Sequence, residues 1–121
     1  MKRTITLAAL TLASIAATSA NAQGVRTEKN MSLELASQIA AHTVAACTAS
    51  GYNVTATVVD RAGGVRAVQR ADNAGPHTVE ASRAKAFTSA SAKAPTLAVM
   101  ENAQKNPAAA NLRDIPGFLL L

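Results

Sequence analysis

A chain of 121 residues, 49% hydrophobic and 16% charged with a net charge of +5, has room for one domain. Alanine accounts for 29 of the hydrophobic residues, against two Phe, one Tyr and no Trp, so the core available for burial is thin. The shortage of aromatic rings also argues against recognition of single-stranded nucleic acid, which stacks bases on such side chains.

Lys2 and Arg3 precede an uncharged stretch of apolar and small residues over 5–17, and Ala20-Asn21-Ala22 forms an A-x-A site before Gln23. This three-part pattern predicts a secretory signal peptide over 1–22, cleaved after Ala22, with a secreted or periplasmic product. As a helix the apolar stretch rises about 20 Å, short of the roughly 30 Å hydrocarbon core, so no membrane span is expected. The expected mature domain, 23–121, carries ten basic and seven acidic side chains. That small excess does not predict nucleic-acid binding. Cys47 is the only cysteine, which excludes an internal disulfide and reads as a small buried helix residue.

Ser32 is a capping hydroxyl, 33–50 a helix and Gly51 its stop. The spacing of Leu35, Ile39, His42 and Ala46 predicts one inward stripe, with His42 on it or at its flank. Residues 53–60 alternate as a strand, with Val54, Ala56 and Val58 on one face and Thr55, Thr57 and Val59 on the other. Asp60-Arg61-Ala62-Gly63-Gly64 supplies a turn, and 65–70 reads as a second strand pairing back as a hairpin. After a loop ending on Gly75-Pro76, a helix is predicted over 77–93, anchored by Phe87 among small residues. Ala94-Pro95 stops it, and Thr96 is read as the cap of a short helix through Gln104. An irregular segment is expected over 106–117. The four apolar residues 118–121 look like the start of a buried strand whose continuation is missing, or like a tail docked in a partner.

No established catalytic motif is present: G-x-x-x-x-G-K-[ST], H-E-x-x-H, C-x-x-C and G-x-S-x-G are all lacking, and Gly63-Gly64 is a hairpin turn. His77 is expected to be exposed at a helix start, where a neutral imidazole can coordinate iron or simply open the helix. His42 reads either as a satisfied core histidine or as a ligand. Glu80 and Arg83, three apart on one helix, can pair.

Several ordered segments carry a resemblance. They are Val58-Val59-Asp60-Arg61-Ala62-Gly63-Gly64, Arg70-Ala71-Asp72-Asn73-Ala74-Gly75-Pro76, Ala81-Ser82-Arg83-Ala84-Lys85-Ala86-Phe87-Thr88 and Ala94-Pro95-Thr96, with Asp114-Ile115-Pro116-Gly117 beyond. Together they resemble the GlcG/HbpS-like family of small haem-binding proteins. The resemblance implies an α+β fold, a profilin-like antiparallel sheet with helices packed on it. It also implies symmetric homo-oligomers, and haem binding with haem or iron handling in the secreted branch. Family members continue past the position of Leu121 with further strands and a final helix, so the domain over 23–121 is expected to be incomplete at its C-terminus. By the same resemblance Thr96 matches a position of the family's haem site. An axial iron ligand from His77, His42 or Thr96, and propionate contacts from Arg83 or Lys85, are the expected haem-binding set. Two other readings stand beside this one. In the first, the chain is a non-catalytic oligomeric accessory module linked to small organic acid metabolism, with haem capture adventitious. In the second it is an enzyme acting on a small organic acid or on haem itself, for which no base or nucleophile is assigned.

Overall fold

The computed structural model describes residues 24–121; the expected signal peptide and its cleavage site lie outside them. Helix α1 (Leu33–Ala49) leads into strands β1 (Thr55–Val59) and β2 (Val65–Arg70), then helices α2 (Thr78–Ala92) and α3 (Thr96–Lys105), and a 3-10 helix (Pro107–Asp114). This is an α+β fold on an antiparallel sheet, as expected.

Each boundary has a local cause. The Ser32 hydroxyl accepts the Leu35 N–H at 3.1 Å and starts α1, and Gly51, at φ +84°, follows the last turn. Between the strands, Asp60 Oδ1 accepts the N–H groups of both Ala62 and Gly64 at 2.9 Å, and the Asp60 N–H donates to the Gly64 carbonyl at 2.8 Å. One carboxylate thus organises the turn, while a register shift at Val58/Val59 absorbs the extra residue. Lys93, left-handed at φ +52°, ends α2.

Strand alternation sends Thr55 and Thr57 to one face of the sheet and Ala56 and Val58 to the other. Helix α2 lies on the threonine face. Thr78 Oγ1 donates to the Gly75 carbonyl at 2.6 Å and so receives the hydrogen of Thr55 Oγ1 at 2.7 Å. Ser82 repeats the pattern, donating to Val79 at 3.0 Å and accepting from Thr57 at 2.7 Å. Helix α1 covers the opposite face, with Ala36 and Ala40 fully buried. Val99, Ala103 and Ala109 are buried where α3 meets the 3-10 helix.

Three expectations need correction. The inward stripe of α1 is Ala36 and Ala40, whereas Leu35 and Ile39 are 48% and 39% exposed and His42 and Ala46 are exposed too. Small residues let the helix approach the sheet closely, so the larger apolar side chains are turned to the flank. Pro95, extended at φ −56° and ψ 141°, occupies the N-cap of α3, so Thr96 is its first helical residue and caps nothing. The segment expected to be irregular contains the 3-10 helix, opened by Asn106 Oδ1 accepting the Ala108 N–H at 3.0 Å. Cys47 is half-buried.

Residues 118–121 take no regular structure and cross α2. Thr88, fully buried, holds them: its Oγ1 donates to the Ala84 carbonyl at 2.8 Å and accepts the Leu119 N–H at 2.8 Å. Valine keeps the shape of threonine and removes the hydroxyl, leaving the Leu119 N–H without its acceptor. Thr88→Val is therefore expected to destabilise by about 1–2 kcal/mol in denaturant unfolding, with Thr88→Ser close to the parent. Equal stability of the valine variant would show that the tail is not held there.

Phe87 projects from α2 between two glycines. A Cβ on Gly63, at φ +82°, would stand 2.7 Å from one edge of the ring, and a Cβ on Gly117, at φ +84°, would stand 3.4 Å from the other. Phe118 meets the ring edge to face, with centroids 6.1 Å apart at 75°.

Candidate functional site

Among the described residues the sheet has two strands, and β1 borders a groove between the two helices that cover its opposite faces. The floor is Thr55, Ala56, Thr57 and Val58; Ile39 and Thr43 of α1 form one wall, and Ser82, Lys85, Ala86 and Ser89 of α2 the other. Pro95 and Thr96 close one end, and the volume is about 490 Å³. That lies within the range of small-molecule and cofactor sites.

The polar groups gather at the closed end. Lys85 Nζ donates to the Leu121 carbonyl oxygen at 2.7 Å, and Thr96 Oγ1 donates to the same oxygen at 3.4 Å. Ser89 Oγ donates to the Ala94 carbonyl at 2.8 Å, fixing the bend that brings Thr96 back toward α2. A cation and a hydroxyl from different helices thereby converge on a single oxygen acceptor beside an apolar wall. A neighbouring hollow of about 310 Å³ shares Lys85 and Ser82 with the groove and adds His77 and Leu121.

Of the five residues singled out in the sequence, the fold brings Lys85 and Thr96 into one groove and His77 into the adjoining hollow. His42 is exposed on α1 and is not among the groove's lining residues. Arg83 is exposed and its Nε donates to Glu80 Oε2 at 2.9 Å, the pairing expected from their spacing. Among the described residues no three His, Cys, Asp or Glu side chains gather into a metal-holding group. No described helix is long and apolar enough to cross a membrane. Ile39, Thr43 and the strand edge were absent from the sequence-derived set. The apolar spacing of α1 places Ile39 in the core, and its position on the groove wall follows from the alanine face of that helix.

The chain is similar to proteins of known structure and to one family model. The model for the haem degrading protein HbpS-like family matches residues 31–121. The crystal structure of HbpS is 36% identical, with a TM-score of 0.75 over 81% of this chain and 67% of that one. A double mutant of HbpS from Streptomyces reticuli is 30% identical, with a TM-score of 0.76 over 99% of this chain and 73% of that one. The Klebsiella pneumoniae protein ORFY, of the DUF336 family, shares the fold at 23% identity, with a TM-score of 0.65 over 77% of this chain and 64% of that one. No curated protein sequence matches.

Proposed function

Since the chain belongs to the HbpS-like family, we propose that it is a haem-binding protein, exported through its leader to the periplasm or beyond and serving haem or iron handling there. The groove between α1 and α2 is the binding site in this reading. The observation that carries it is the convergence of Lys85 and Thr96 on one oxygen at the end of an apolar groove. Ile39, Val58, Ala86 and Pro95 offer apolar surface to the faces of a porphyrin. Lys85 suits a propionate, since an ammonium–carboxylate hydrogen bond is among the stronger ones available. Thr96 offers an oxygen ligand and His77 an imidazole from the adjoining hollow. Bound haem would supply a redox-active iron, and the role assigned to the chain's own groups is to seat it and neutralise its carboxylates. A homo-oligomer belongs to the same reading: Leu35, Val65 and Val68, each more than two-fifths exposed, are surface that self-association would cover.

A haemin titration followed by absorbance tests this. The parent chain is expected to saturate at a fixed stoichiometry with a sharp, shifted Soret band. Lys85→Ala is expected to weaken binding about tenfold, equivalent to about 1.4 kcal/mol. Thr96→Ala or His77→Ala is expected to shift the band, whichever supplies the ligand, while His42→Ala and Arg83→Ala leave both quantities unchanged. An unsaturable change in the parent, or unaltered affinity and spectrum in the Lys85, Thr96 and His77 variants together, would overturn the assignment.

A further inference from the structure

Gly75 is a glycine that its backbone does not require. Gly51, Gly63 and Gly117 stand at positive φ, the region that favours glycine, and Gly75 does not. What a side chain there would meet is the imidazole of His77: a Cβ would stand 2.7 Å from its Cε1, 2.9 Å from Nδ1 and 3.8 Å from Nε2. The ring therefore lies with its Nδ1–Cε1 edge on the glycine, and Nε2 is the nitrogen farther from it.

This seat is held from both sides. Arg70, the last residue of β2, donates to the Ala74 carbonyl from Nε at 3.0 Å and again from Nη2, and Ala74 is buried. The Gly75 carbonyl accepts the Thr78 N–H at 3.0 Å and the Thr78 hydroxyl at 2.6 Å. The carbonyls before and after the Gly75 Cα are thus both fixed, whereas the His77 side chain is exposed. His77 occupies the N-cap of α2, yet its side chain makes no capping hydrogen bond, unlike Ser32 and Asn106 at theirs. The imidazole is placed by its seat and left unused by the helix.

We infer that Gly75 is the positioning residue for His77 and that Nε2 of this imidazole is the haem-iron ligand, an inference that rests on the haem reading above. A neutral imidazole is a common ligand of haem iron, so the donor fits the group. The rival is Thr96. Lys85 and Thr96 reach the same oxygen, so a propionate in its place engages both. Propionates hang from the rim of the macrocycle and the iron lies at its centre, so the pair that holds the rim does not also meet the metal. His77, Ala81 and Lys85 line one hollow at intervals of four residues. Eight residues of helix span about 12 Å, which separates the holder of the iron from the holder of the carboxylate along a single helix.

Gly75→Ala tests this in the full chain, with and without haemin. Alanine at a φ that it tolerates keeps the melting temperature. Its Cβ displaces the ring, because the tip of a side chain yields before a clamped backbone. In the chain alone the nuclear magnetic resonance signal of the His77 Cε1–H is expected to shift in Gly75→Ala. With haemin, Gly75→Ala is expected to lose the parent's imidazole-ligated Soret and electron paramagnetic resonance signature. His77→Gly is expected to lose it too and to regain it with free imidazole, while Thr96→Ala keeps it and binds a few-fold more weakly. An unmoved His77 signal in Gly75→Ala would overturn the seat. A parent that saturates with haemin while the Gly75 and His77 variants keep its spectrum would overturn the ligand assignment and leave the haem reading standing. A parent that takes up no haemin would overturn both.

Discussion

Ala40→Leu is expected to lower the melting temperature of the domain by roughly 10 °C, followed by circular dichroism. Ala40 is fully buried, since α1 rests on the sheet through it and Ala36. A leucine there needs space that the close approach of helix to sheet does not leave. Overpacking of this kind costs about 1–3 kcal/mol, and in a domain of this size each kcal/mol moves the melting temperature by about 4–8 °C. The instructive comparison is Leu35→Ala, which removes a larger side chain from the same helix. Leu35 is nearly half exposed, so the loss of buried apolar area is small and the expected change stays within about 1 kcal/mol. The reverse order would mean that α1 packs through its leucine and isoleucine after all.

Phe87→Ala is expected to destabilise by about 3 kcal/mol, the largest effect of a single truncation here. Loss of a packed phenylalanine side chain costs about 3–5 kcal/mol, and partial exposure of this ring places it at the lower end. The edge-to-face contact with Phe118 adds its share. Phe87→Leu fills part of the space between Gly63 and Gly117 and should recover about half of the loss. A Phe87→Ala variant melting with the parent would show that the ring anchors nothing.

The local grammar of the chain was readable. Ser32, the Asp60–Gly64 turn, Gly75-Pro76 and Pro95 punctuate it, and the predicted elements lie within two residues of those observed. The inward face of α1 was not readable, because a hydrophobic stripe ranks Leu35 and Ile39 above alanine while close packing reverses that order. Thr96 failed as a cap for a similar reason: Pro95 cannot donate an N–H and is already extended, so it takes the cap position. At the candidate site, the resemblance pointed to Thr96 and the need for a propionate partner to Arg83 or Lys85, and the fold brings Lys85 and Thr96 to one oxygen. Nothing in the local sequence of His42 or Arg83 distinguished them from those two. Their separation from the groove depends on helix orientation, which two-residue spacing does not encode.

The ring held between Gly63 and Gly117 has a meaning for how the chain assembles. Those positions are 54 residues apart, and everything from β2 to the 3-10 helix lies in the loop they close. The hairpin and each helix are local and can form early, whereas this closure waits on the loss of loop entropy and belongs late in folding. Phe87 thus fastens the hairpin turn to the segment around Gly117, and the two should gain and lose their order together.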